Sequence, residues 1–167
     1  LYAAQTFTNI PDSDGRRIQI GWGRVSHPGM SFNSQMLIPT VLTLRTTKDG
    51  VRLFSNPVKE LDQLQTLLFQ QPATSVKEAN ELLNPYSNDD CLRVQFTLKL
   101  SHATDAGFNL YGQQLMKYDI NFNRVNDVFY SPEDMTSMEI TADVIIDKTS
   151  VEVFIDNGAY SYCIERK

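Results

Sequence analysis

The sequence predicts an all-β chain whose main body is an antiparallel β-sandwich, jelly-roll-like, with short helices confined to one central stretch. Two observations carry this. Apolar and polar residues alternate with period two through most segments, the pattern of half-buried strands. Turn chemistry recurs between those segments, with Asp49-Gly50 and Asn157-Gly158 the strongest cases, because both dipeptides accept positive φ.

The elements follow in order. Tyr2 to Thr8 and Arg17 to Trp22 read as strands around the turn Asp12-Ser13-Asp14-Gly15. Thr40 to Thr46 and Val51 to Ser55 form a second pair across Lys48-Asp49-Gly50. Pro57 to Leu68 then switches period: Val58, Leu61, Leu64 and Leu68 fall at helical spacing, with Glu60 and Asp62 in the first turn, where the helix dipole favours negative charge. Thr74-Ser75-Val76-Lys77-Glu78 reads as a capped helix start, running to Leu83 before Asn84-Pro85 stops it. These two short helices lie between all-β regions, and the boundary falls near residues 56 to 60.

Leu92 to Leu100 gives the cleanest alternation: Leu92, Val94, Phe96, Leu98 and Leu100 face one way, and Arg93, Gln95, Thr97 and Lys99 the other. One packed face and one wet face suit an outer strand of an antiparallel sheet. Ala106 to Leu110 and Gln114 to Asn121 read as strands, with Arg124 to Tyr130 closing a hairpin. Met138 to Ile146, Val151 to Ile155 and Ala159 to Ile164 read as a meander turning at residues 147–150 and at Asp156-Asn157-Gly158.

Composition narrows the function. The 167 residues are 41% hydrophobic and 21% charged, enough for a core without disulfides or metals. The net charge of −5 and the scattering of 15 Lys and Arg residues argue against nucleic acid, which needs a clustered basic face. No apolar run approaches the ~20 residues of a membrane helix. The two cysteines, Cys91 and Cys163, read as partly buried free thiols rather than a disulfide. The chain opens without Met and without a basic signal-peptide segment, which suggests a cut piece of a longer protein.

Catalytic chemistry is sparse. His27 and His102 stand alone, without Cys, Asp or Glu at ligand spacing, and read as surface or packing residues. There is no Gly-rich phosphate loop and no G-x-S-x-G elbow. Glycoside hydrolysis needs two carboxylates, and Asp143, Asp147, Glu152 and Asp156 crowd one region. Residues i and i+4 of a strand share a face about 13 Å apart, too far for a retaining pair. These acids read as solvent-facing strand charges that discourage edge pairing. Trp22, the single Trp, lies between Gly21 and Gly23. Glycines leave its ring clear for stacking on a sugar, although composition alone favours a core position.

The order of several short motifs is more specific. Tyr2-Ala3-Ala4-Gln5-Thr6-Phe7 with Arg17-Ile18-Gln19-Ile20-Gly21-Trp22, then Leu37-Ile38-Pro39-Thr40-Val41-Leu42-Thr43-Leu44, then Asn56-Pro57-Val58-Lys59-Glu60-Leu61, and finally Ser150 to Gly158 (S-V-E-V-F-I-D-N-G) together resemble the late segment of glycoside hydrolase family 32. That family includes invertases, levanases and inulinases. Residues 72 to 135 carry little of the likeness.

The resemblance implies a β-propeller followed by a β-sandwich. It implies a remnant of the last propeller blade over residues 1–56, a linker with short helices over 57–86, and a C-terminal sandwich over 87–167, cut at both ends. It implies a secreted or cell-surface parent acting on fructan or sucrose without a cofactor. The family's acids lie in W-M-N-D-P-N-G-type, R-D-P and E-C motifs, and none of these occurs here; Glu165 precedes Arg166, not Cys. Tyr2 and Trp22 match positions that line the family's sugar pocket, which reverses the composition-based reading of Trp22. A truncated sandwich implies an open sheet edge, to be covered by a homodimer partner or a swapped strand. A second reading is a free-standing fructan-binding sandwich using Tyr111, Tyr118, Phe122, Tyr160 or Tyr162.

Overall fold

In the computed structural model, residues 2–72, 75–100, 104–110, 112–130 and 139–166 are described. The strands fall into three antiparallel sheets. The first contains β1 (Tyr2–Thr6), β2 (Arg17–Gly23), β3 (Gln35–Met36), β4 (Thr40–Thr47) and β5 (Gly50–Pro57), ordered β1-β2-β4-β5 with β3 also on β2. After the helix α1 (Val76–Leu83), β6 (Leu92–Lys99) joins β11 (Glu139–Ile146), β12 (Ser150–Ile155) and β13 (Tyr160–Glu165) in a sheet ordered β13-β12-β11-β6. The third sheet, β10-β9-β8-β7, is a meander of β7 (Asp105–Leu110), β8 (Gln113–Asp119), β9 (Arg124–Val125) and β10 (Val128–Phe129). The all-β sandwich expected from the alternation is therefore the fold.

Cross-strand rows show why these residues pack. In one sheet Leu92, Ile146, Val151 and Ile164 lie side by side, then Val94, Val144, Val153 and Tyr162, then Phe96, Ala142, Ile155 and Tyr160. Each row comes from positions two apart, so all three rows share a face. Leu115, Met116, Tyr118 and Val125 of the facing sheet complete one buried cluster with them.

Leu115 is an extra residue in β8: Phe108 pairs with Met116 and Asn109 with Gln114. This bulge turns two consecutive residues inward, and Leu115 and Met116 are both fully buried. Gly107 permits it, since a Cβ there would lie 2.2 Å from the Met116 carbonyl oxygen. The Tyr162 hydroxyl donates to the Leu115 carbonyl at 2.8 Å, satisfying a group that the bulge leaves unpaired.

β12 is buried along its whole length. Val151, Val153 and Ile155 enter the sandwich core, while Ser150, Glu152 and Phe154 point outward and are covered by the first sheet. Gln35 Nε2 donates to Ser150 Oγ at 2.7 Å, and the Ser55 N–H donates to the Gly158 carbonyl at 2.8 Å. The turn into β13 runs through left-handed Asp156, Asn157 and Gly158, and Gly158 is required twice over. Its φ is +82°, and a Cβ would lie 2.3 Å from the Ser55 oxygen.

The central stretch differs from its sequence reading. A 3₁₀ helix covers only Lys59–Leu64, and Leu64 and Leu68 are exposed. The acids expected to serve a helix dipole are used in tertiary ion pairs instead: Glu60 binds Arg16 at 2.7 Å and Asp62 binds Arg93 at 2.7 Å. Only Val58 of the apolar series is buried, anchored by its N–H to the Pro39 carbonyl at 3.0 Å. The second helix keeps its predicted start, with Ser75 and Glu78 exchanging both bonds of a capping box.

Candidate functional site

Tyr2 and Trp22 come together. They are directly opposite residues of β1 and β2, with ring centroids 5.5 Å apart and planes tilted by 57°, a favourable aromatic arrangement. On the other side of Trp22, Met36 of β3 is its cross-strand partner. Opposite residues share a sheet face, so Tyr2, Trp22 and Met36 form one apolar row across three strands. Tyr2 is 70% exposed and Met36 58%, and Trp22 is half-buried between them. Gly23 beside it lets the backbone close on Leu37, whose Cδ2 would lie 2.5 Å from a Cβ. The sequence reading missed Met36 because a two-residue strand shows no period.

His27 is a packing residue, half-buried with its ring 4.9 Å from Phe32. His102 and Tyr111 lie outside the described residues. Among the described residues no three His, Cys, Asp or Glu side chains are placed to hold a metal ion. Cys91 and Cys163 are free, and Cys91 is exposed rather than partly buried as expected.

The four acids near the last hairpins are not a solvent-facing set. Glu152 is buried at 7% exposure, with Oε1 accepting the Ile38 N–H at 2.9 Å. Burial pushes its carboxyl up to about 7, against the pull of that hydrogen bond and with the nearby negative Asp147 adding to the rise. Its lateral neighbours are Ile145 and Cys163, so no cation offsets the burial from either side. Cys163 is likewise raised to about 11 by burial, with Glu152 contributing.

Asp143 is half-buried and forks onto Arg93 at 2.7 Å. Asp156 accepts from the Tyr130 hydroxyl at 2.6 Å and from the Thr141 N–H at 2.8 Å. Asp147 alone is exposed. The sequence reading of Glu152 as a solvent-facing strand charge is overturned. What covers that face is the first sheet, not water.

The aromatics proposed for a sugar-binding sandwich separate by burial. Tyr118 is fully buried, which removes it from any surface. Tyr160 and Tyr162 are half-buried, with Tyr160 stacked on Tyr130 and tilted against Tyr162. Phe122 is 66% exposed.

Comparison with known proteins points one way. No family model matches the chain. Two levanases do: one from Bacillus sp. (strain L7), 23% identical over 185 residues, and one from Bacillus subtilis (strain 168), 25% identical over 195 residues. The matches take in 94% and 95% of this chain but only 20% and 28% of those proteins. The fold is shared with an exo-inulinase from Aspergillus awamori, at TM-score 0.67 and 17% identity over 98% of this chain and 37% of that one. It is shared with a β-fructofuranosidase from Schwanniomyces occidentalis, at TM-score 0.60 and 15% identity over 99% of this chain and 41% of that one.

Proposed function

With the resemblance to glycoside hydrolase family 32 borne out along nearly the whole chain, we propose that this is the late segment of a secreted or cell-surface fructan or sucrose hydrolase. Residues 1–56 are a remnant of the last propeller blade, 57–86 a linker, and 87–167 a C-terminal β-sandwich with a structural role. The levanase likeness carries the reading, because it takes in 94% and 95% of this chain.

Two further observations support it. The row Tyr2–Trp22–Met36 is one wall of a sugar site, an apolar face on which a fructosyl ring stacks through its C–H surface. The opposite wall and the catalytic acids belong to other parts of the parent. Leu44 and Leu53 are directly opposed on β4 and β5 and exposed at 73% and 54%, with Val51 beside them at 67%. Such a contiguous apolar face marks a surface that another part of a protein covers, here a neighbouring blade.

The sandwich braces the blade through the Glu152, Ser150 and Gly158 contacts. Among the described residues β13 is an edge strand of its sheet, and an open edge supports pairing with a second copy, which light scattering at rising concentration measures. Fructose release tests the assignment. Purified chain incubated with levan, inulin or sucrose releases none, and release above the blank overturns it. Trp22→Ala in the parent raises KM for fructan by at least about fivefold if the wall binds sugar, since losing one stacked ring costs about 1–3 kcal/mol.

A further inference from the structure

The outer face of the sheet β10-β9-β8-β7 carries a cleft of about 160 Å³, lined by Gln114, Lys117, Asp119, Phe122, Arg124 and Asp127 together with Asn126. Bulging at Leu115 sets it up: the extra inward residue leaves Gln114 and Lys117 on the outer face on either side of the bulge, followed by Asp119. Phe122 stands at the tip of the β8–β9 turn, its ring two-thirds in solvent.

That turn is braced far more than an idle loop requires. Asp119 Oδ1 accepts the Phe122 N–H at 3.2 Å. Asn123 and Asn126 both take left-handed backbone. Asn126 exchanges two bonds with the Lys117 backbone, at 2.7 and 2.9 Å. The Tyr118 hydroxyl donates to Asn123 Oδ1 at 3.2 Å, and the Tyr130 N–H donates to the Asn123 carbonyl at 2.7 Å. An apolar ring standing in water gains nothing from burial in the monomer, and a braced backbone beneath it lowers the entropy cost of binding.

The lining fixes the ligand class. Two cations, Lys117 and Arg124, face two carboxylates, Asp119 and Asp127, so neither an anion nor a cation is selected. Arg124 and Asp119 are directly opposite in the β8–β9 pair, yet they are not among the ion pairs formed by the described residues. Lys117 pairs with Asp105 at 3.1 Å instead. A flat aromatic face ringed by planar amide, carboxylate and guanidinium groups matches a neutral polyol ring: C–H groups stack on the phenyl, and vicinal hydroxyls hydrogen-bond to Arg124, Asp127 and Gln114.

We propose that this cleft is a carbohydrate-binding subsite of the sandwich, separate from the Tyr2–Trp22 wall, taking one fructosyl unit of a fructan. The choice of fructan as the sugar rests on the proposed function above. Affinity electrophoresis of the full chain through gels containing levan, inulin or dextran tests it. The chain is retarded by levan or inulin and not by dextran. Phe122→Ala and Arg124→Ala each weaken retardation at least tenfold, and Leu64→Ala, at an exposed position outside both sites, leaves it unchanged.

Because Phe122 and Arg124 are exposed, an unchanged melting temperature for both variants shows that the fold is kept. A titration with a fructo-oligosaccharide followed by amide NMR shifts then concentrates its changes between residues 117 and 127. Absence of retardation by both fructans, retardation by dextran alone, retention of binding in Phe122→Ala, or loss of binding only in Trp22→Ala would each overturn the subsite. Fructose release by the isolated chain overturns the proposed function without touching this result, so the two failures are distinguishable.

Discussion

Replacing Glu152 by glutamine isolates the electrostatic cost of docking the first sheet onto the sandwich. The carboxyl is raised from 4.5 to about 7 by burial, so between those values the folded chain holds a proton that the unfolded chain has released. Stability from this group is therefore complete below about pH 4.5 and falls as pH rises through about 7. At 1.36 kcal/mol per unit, ionising Glu152 in the folded state removes about 3 kcal/mol of stability by pH 8.

Glutamine keeps an oxygen to accept the Ile38 N–H and carries no charge. Urea unfolding of both proteins across the pH range measures the difference, in which every other titrating group cancels. The variant lies within about 1 kcal/mol of the parent at pH 4.5. By about pH 8 it is more stable by roughly 2–3 kcal/mol. Parallel stability curves for the two proteins would refute the argument, because they would mean that Glu152 titrates alike in the folded and unfolded states.

Other perturbations test the packing. Gly158→Ala forces a side chain into positive φ and against the Ser55 carbonyl, and lowers stability by at least about 2 kcal/mol, read as a fall in the urea midpoint. Gly107→Ala drives a Cβ onto the Met116 carbonyl beneath the bulge and costs a similar amount, about 2 kcal/mol. Tyr130→Phe strips Asp156 of its 2.6 Å donor and costs about 1–2 kcal/mol by the same assay.

Much of this architecture is legible in the sequence, for a physical reason. In β6, β11 and β13 one face packs in the sandwich core and the other is more polar, so period two survives in the residue types. β12 shows where that logic stops. Its alternation is present, but both faces are buried, and the charge at Glu152 disguises the second one. A carboxylate in an alternating strand reads as solvent-facing, and only the tertiary placement of Ile38 shows otherwise.

The linker failed for a related reason. Leucines at helical spacing predict a buried stripe, yet Leu64 and Leu68 are left in solvent and tertiary ion pairs fix the 3₁₀ turn. Of the sugar wall, Tyr2 and Trp22 were found through the motifs that contain them. Met36 needed the β2–β3 register. Phe122 was one aromatic among five until burial separated them.

The most direct test of the account is the coding sequence upstream of Leu1 at its genomic locus. If this chain is the late part of a fructan hydrolase, the same reading frame continues upstream and encodes W-M-N-D-P-type and E-C motifs in a run of β-propeller strands. A frame that opens at Leu1, or continues into sequence with neither motif, would contradict it.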